Sequence, residues 1–145
     1  MASRKAQSHP THYAAVLLYT AGRDGIRVLL AHPSGRRRNS WIIPRVEERA
    51  DDHMHDAATD AARAVGITSP LKLSFLGSTL FGAGKKRLHV YIGQVPKASK
   101  ARAVANDYDD AQFFDVSEAK QVLDKQQEQF LQSLKSTLMF LGKIA

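Results

Sequence analysis

The sequence predicts an α/β fold, a mixed sheet flanked by helices, on three observations. Apolar runs of strand length recur between Gly-containing turns. Two longer stretches carry apolar residues at helical spacing. The 145 residues suffice for one domain with a real core and not for two.

Taken in order, residues 1–11 are polar and read as a flexible N-terminal arm, leaving 12–145 as the single domain. Residues 12–20 (HYAAVLLYT) and 26–31 (IRVLLA) are strand-length apolar runs, and Asp24-Gly25 between them reads as a hairpin turn. A loop with Ser34, Gly35 and the triple arginine Arg36, Arg37 and Arg38 follows. Trp41, Ile42 and Ile43 make a short strand halted by Pro44. Asp52 reads as the N-cap of a helix that buries Met54, Ala57, Ala58, Ala61, Ala62 and Val65 and ends at Gly66. Strands over 71–80 and 87–95 flank a basic turn at Gly84, Lys85, Lys86 and Arg87. Residues 111–115 form a last strand. Ser117 caps a helix that runs, with a break, to about Leu141. Its apolar face, with Phe130, Leu131, Leu134 and Leu138, reads as core or as a homodimer contact.

Composition excludes several classes. With 43% hydrophobic and 24% charged residues the chain is not wholly disordered. No apolar run approaches the roughly 18 residues of a membrane span. The basic N-terminus has no apolar segment behind it, so it does not read as a secretory signal. Cysteine is absent, which excludes disulfides, thiolate metal sites and cysteine nucleophiles, and fits a cytoplasmic protein.

The net charge of +7 is unevenly spread. Residues 1–43 carry seven basic and one acidic side chain, residues 44–66 three and six, residues 67–106 seven and none, and residues 107–145 four and seven. An acidic island between basic stretches suits a cation beside phosphates, and suits equally a solvated surface of uneven composition. Asp52, Asp56 and Asp60 fall at i, i+4 and i+8, one stripe if the helix starts that early, with Glu47 and Glu48 in the loop before it. That set reads either as metal ligands or as caps and dipole partners facing solvent. His53 and His55 point apart in a helix and read as exposed imidazoles. His89 reads as a surface or half-buried strand residue. Tyr13, Phe81, Tyr91, Phe113 and Phe114 read as core. The arginine triplet is a weak signal for nucleic acid, and Ser34 has no base placed to make it a nucleophile.

The stretch WIIPRVEERADDHMHDAATDAARAVGI, from Trp41 to Ile67, resembles a Nudix box with its lead-in. Trp41, Pro44 and Arg45 match the lead-in, and Gly66 with Ile67 match the end of the box. LLAHPSG, FLGSTLFGAGKKRLHVYIGQV and DDAQFFDVSEAKQVL resemble segments of the diadenosine-polyphosphate-hydrolase-like branch. The resemblance covers nearly the whole chain from Tyr13 and implies a Nudix-like α/β/α sandwich, with the box helix on one side and the C-terminal helices on the other. The box is degenerate. Thr59 stands in the place of its Arg, Asp60 of its first Glu, and Arg63 and Ala64 of its Glu pair. Val46 takes the place of the box glycine, the segment is one residue short, and Asp51 or Asp52 falls near the remaining Glu.

The resemblance implies a metal-dependent hydrolase of nucleoside-diphosphate-linked compounds, such as dinucleoside polyphosphates, using Mg²⁺ or Mn²⁺. Asp60 would be the surviving catalytic carboxylate. Asp52, Asp56, Glu47 and Glu48 would help to hold metal, and Arg45, Lys85 and Lys86 would contact phosphate. The substitutions argue for weak or lost turnover. Two unit charges at about 4 Å interact by roughly 4 kcal/mol at an effective dielectric near 20, so Arg63 in place of a ligand Glu reverses a large attraction. Ala64 can ligate nothing. The other expectation is a non-catalytic Nudix-fold protein that binds a nucleotide, a nucleic acid or a protein partner.

Overall fold

A computed structural model of the chain describes residues 10–37, 40–49, 53–69 and 71–142. Strands β1 (Thr11–Gly22) and β2 (Gly25–Pro33) form a hairpin around Arg23 and Asp24, with Gly22 paired to Gly25. Then follow β3 (Arg45–Glu47), helix α1 (Met54–Arg63), β4 (Ser74–Phe81), β5 (Lys86–Gln94) and β6 (Tyr108–Asp115). Helix α2 (Val116–Val122), a 3-10 turn (Lys125–Gln127) and helix α3 (Glu128–Phe140) complete the chain. The strands make one six-stranded sheet in the order β4-β5-β1-β2-β6, with β3 paired to β1. It is mixed: β1 runs parallel to β5, and every other pairing is antiparallel.

Alternation along β1 builds two cores, because successive side chains point to opposite faces. Ala15, Leu17 and Tyr19 face one way and join Leu30, Leu88, Val90, Phe130, Leu131, Leu134 and Leu138 under the C-terminal helices. Ala14, Val16 and Leu18 face the other way, toward Ala57, Ala58, Ala61 and Ala62 of α1. The result is the expected α/β/α sandwich. Four alanines let α1 lie close against the sheet. Gly66 closes that helix as expected: its φ is +88°, and Ile67 N–H reaches back to the Ala62 carbonyl.

Four local expectations are corrected. Residues 41–43 are not a strand, because their backbone bonds go to scattered partners. Trp41 N–H donates to the Val122 carbonyl, Ile42 exchanges with Ala31, and Ile43 N–H donates to the Gln127 side chain. The strand lies beyond the proline, where Arg45, Val46 and Glu47 pair with Ala15, Ala14 and Tyr13. Glu47 therefore closes a strand rather than lying in a loop. The residue capping α2 is Asp115, whose N–H is accepted by Glu118, in place of Ser117. The N-cap of α1 is His53; Asp52 and Arg38 lie outside the described residues. The expected break between the C-terminal helices falls at Leu123 and Asp124. No helix among the described residues is long and apolar enough to cross a membrane.

Candidate functional site

β3 is the wall on which the site is built. It occupies the edge of β1 below the point where β2 pairs with Tyr19 to Gly22, so β1 has β2 beside one end and β3 beside the other. Tyr108 at the start of β6 pins it: its hydroxyl accepts the Arg45 N–H at 2.9 Å and donates to the Arg45 carbonyl at 3.0 Å. Burial pushes the Tyr108 hydroxyl above the usual phenol value, so it stays protonated and able to donate.

Two cavities share that wall. One, of about 610 Å³, is lined by Val46, Glu47, Arg49, Asp60 and Asp107. The other, of about 370 Å³, is lined by Arg36, Arg45, Tyr13, Tyr108 and Asp124 among others, and again by Val46, Glu47 and Asp107. Each is lined by three carboxylates, with Arg49 beside those of the first. The second carries two arginines and two tyrosine rings.

Of the residues expected to contact phosphate, Arg45 and Lys86 converge. Tyr13 and Phe81 pack edge to face with centroids 5.6 Å apart. The Arg45 guanidinium lies 4.9 Å from the Phe81 centroid and 5.6 Å from that of Tyr13. The Lys86 ammonium lies 5.6 Å from Tyr13 and 5.7 Å from Phe81. Each such contact contributes about 0.5–1 kcal/mol at an exposed site and leaves the cation able to meet an anion. Neither side chain is in an ion pair among the described residues. Lys85 is exposed in the adjoining turn, where its carbonyl accepts the Thr11 N–H.

The carboxylates are more dispersed. Asp60 lines the first cavity but is ion-paired at 3.2 Å with Arg63, one turn along α1. Asp56 is exposed in the first turn of α1, where it complements the helix dipole. Glu48 follows β3 with its N–H on the His12 carbonyl, and its charge acts on His89 and Tyr91. Among the described residues no three His, Asp or Glu side chains gather as a metal ion would require. Mg²⁺ or Mn²⁺ therefore finds no ready oxygen cage in them. Ala64, in the place of a box carboxylate, is half-buried, and its carbonyl accepts Val104 N–H at 2.9 Å.

Several contributors escape a reading of the sequence. Asp107 and Tyr108 enter the site from outside the motif, and Arg49 enters from within it, at a position that no motif residue type marks. His32, a lone polar residue ending an apolar run, is buried between Asp109 and the Arg37 carbonyl. His89 is half-buried as expected, and its ring bonds that of His12 at 2.8 Å. The aromatics expected in the core, Tyr13, Phe81, Tyr91, Phe113 and Phe114, are only half-buried, at the edges of the clusters.

No model of a known protein family matches the chain, and no curated protein matches it. Solved structures do. The Ap4A hydrolase of C. elegans in a binary complex superposes with a TM-score of 0.75 at 13% identity, over 89% of this chain and 98% of that one. The NUDIX domain of NrtR from Shewanella oneidensis, complexed with ADP ribose, gives 0.78 at 14% identity, over 92% of each chain. RenU, a Nudix hydrolase from M. smegmatis, gives 0.66 at 18% identity, over 88% of this chain and 87% of that one. At such identities the likeness shows a shared fold.

Proposed function

We propose, from the premise that this chain has the Nudix fold, that it binds a nucleoside-diphosphate-linked compound and hydrolyses it weakly or not at all. ADP ribose and dinucleoside polyphosphates are the ligand class, in keeping with the compounds named for the NrtR domain and the Ap4A hydrolase. The observation that carries the reading is the Asp60–Arg63 ion pair: the carboxylate best placed for chemistry is matched by a cation where the box would carry a second acid. Arg45 and Lys86, held over Tyr13 and Phe81, supply positive charge and a ring surface of the kind a diphosphate and a nucleobase require. Such binding needs no metal from the protein. Mg²⁺ or Mn²⁺ would reach the site chiefly on the ligand's own phosphates, since Mg²⁺ usually takes only one or two protein carboxylates.

The test is calorimetric titration with ADP ribose and a dinucleoside tetraphosphate, with and without Mg²⁺ or Mn²⁺, beside a coupled assay of phosphate release. Expected are metal-independent binding, about tenfold weaker in Arg45→Ala or Lys86→Ala, and no release above an Asp60→Ala control. Turnover that disappears in that control would replace this reading with an active hydrolase. Thr59→Arg, Arg63→Glu and Ala64→Glu together restore the box and are expected to create Mg²⁺-dependent release on the same scaffold.

A further inference from the structure

Both ring nitrogens of His32 face acceptors. Nδ1 lies 2.7 Å from an Asp109 carboxylate oxygen on β6, and Nε2 meets the backbone carbonyl of Arg37. A neutral imidazole has one N–H and one lone pair, so it satisfies one of these contacts and sets a lone pair against the other. The imidazolium satisfies both. His32 is 8% exposed, with Trp41 edge-on at 5.2 Å, and it opens on a cavity of about 300 Å³ lined by Trp41, Asp109, Asp110 and Gln112. Among the described residues the charged groups facing it are Asp109 and Asp110, both from β6, and the loop contributes the Arg37 carbonyl. That carbonyl, the Asp109 bond and the two negative charges hold the ring above the ordinary imidazole value against the opposing pull of burial.

The loop so gripped bears on the ligand site. Ser34 N–H donates to the Asp107 carbonyl at 2.9 Å, and the Arg37 carbonyl also accepts Ser40 N–H at 3.1 Å. Between those anchors Arg36 lines the cavity that Arg45, Tyr13 and Asp107 share. We propose that the His32 imidazolium is a positioning residue for this ligand site, tying the arginine loop to β6 so that Arg36 is held at the cavity. Loss of the proton removes one of the two bonds and so breaks the tie that runs from the loop through the ring to β6. Ligand affinity then falls as pH rises through the pKa of His32. The role rests on the binding function proposed above and adds to it a control by proton concentration.

The test pairs two measurements. Nitrogen-detected NMR of the imidazoles follows His32 in the wild type, and calorimetry follows ADP ribose binding from about pH 5 to above about pH 8, which spans the range of an ordinary histidine and continues upward for a raised one. Expected are two N–H protons on His32 at low pH, and an affinity that drops by about tenfold across its titration. Asp109→Asn keeps the ring but removes its carboxylate, and moves the NMR midpoint and the affinity midpoint together to lower pH. His32→Gln, whose single amide nitrogen cannot stand at both ring-nitrogen positions and which sets its oxygen against one of the acceptors, binds weakly at every pH with a flat profile, and its amides 34–37 exchange faster. A purely structural histidine would lower affinity in the variant without tying the two midpoints together. Binding that ignores pH while His32 titrates overturns the positioning role alone. Absence of any ADP ribose binding, with the doubly protonated ring intact by NMR, overturns the ligand reading and this role with it.

Discussion

At the scale of single residues, backbone geometry and protonation decide more than side-chain size. Gly66 holds φ at +88°, and a Cβ there would meet the backbone nitrogen of Arg102 at 3.2 Å and its Cγ at 3.1 Å. Gly66→Ala is therefore expected to cost about 1–3 kcal/mol, read from urea unfolding; a neutral or stabilised variant would show that the turn relaxes freely. His89 has the opposite sign of behaviour to His32. Burial, then the adjacent His12 and Arg87, hold it below the ordinary value of 6.5. The unfolded chain then binds more protons, so this contribution to stability is complete above about pH 6.5 and is lost as pH falls through the folded value. For His32, raised in the fold, the contribution is present below 6.5 and is lost as pH rises through its folded value. His89→Gln should flatten the acid side of the stability curve and leave its alkaline side alone. An unchanged acid limb in thermal melts would remove His89 from that role.

At the scale of elements, what could be read from the sequence was what local periodicity controls. Helix α1 was legible because Ala57, Ala58, Ala61 and Ala62 repeat at helical spacing and Gly66 follows. The hairpin of β1 and β2 was legible from its Asp-Gly turn. Residues 41–43 were not, because apolar residues before a proline look the same whether their backbone pairs with one strand or with three different partners. The His32 contact was invisible for a related reason: Asp109 lies 77 residues away in sequence, and nothing local announces it. Helix α1 illustrates both cases. The resemblance in sequence singled out Asp60, but only the fold shows Arg63 closing on it. The two helical layers also differ in kind. α1 packs by close approach of alanines, whereas α3 contributes bulk through Leu134 and Leu138, both fully buried. Leu134→Ala should cost about 2–5 kcal/mol through lost burial and the cavity left behind. Arg63→Ala, by contrast, removes an exposed i,i+3 pair and should cost less than about 0.5 kcal/mol. Equal losses in denaturant melts would contradict this division between core and surface.

At the scale of the whole molecule, the question is whether the +7 charge serves a small ligand or a polyanion. The segment 67–106 carries seven basic residues and no acidic one, which is enough charge to attract nucleic acid. Among the described residues the cations that the fold brings to the cavities are few: Arg45 and Arg36 in one, Arg49 in the other, with Lys86 over the adjoining aromatic pair. They are interleaved with Glu47, Asp60, Asp107 and Asp124, which would repel a long phosphate backbone. Counterion release separates the cases quantitatively. A protein that neutralises about 6–10 phosphates loses roughly 10³ to 10⁵ in affinity between about 50 and 200 mM salt, whereas one that meets two phosphates should lose only about tenfold. The expected result is a shallow salt dependence for ADP ribose, and for a single-stranded oligonucleotide binding that is weak and collapses over the same range. If the oligonucleotide instead binds tightly with a steep slope, and Arg45→Ala and Lys86→Ala reduce that slope by about one unit each, the two side chains are phosphate contacts for nucleic acid. The aromatic pair beneath them would then serve base stacking along a strand rather than one nucleotide.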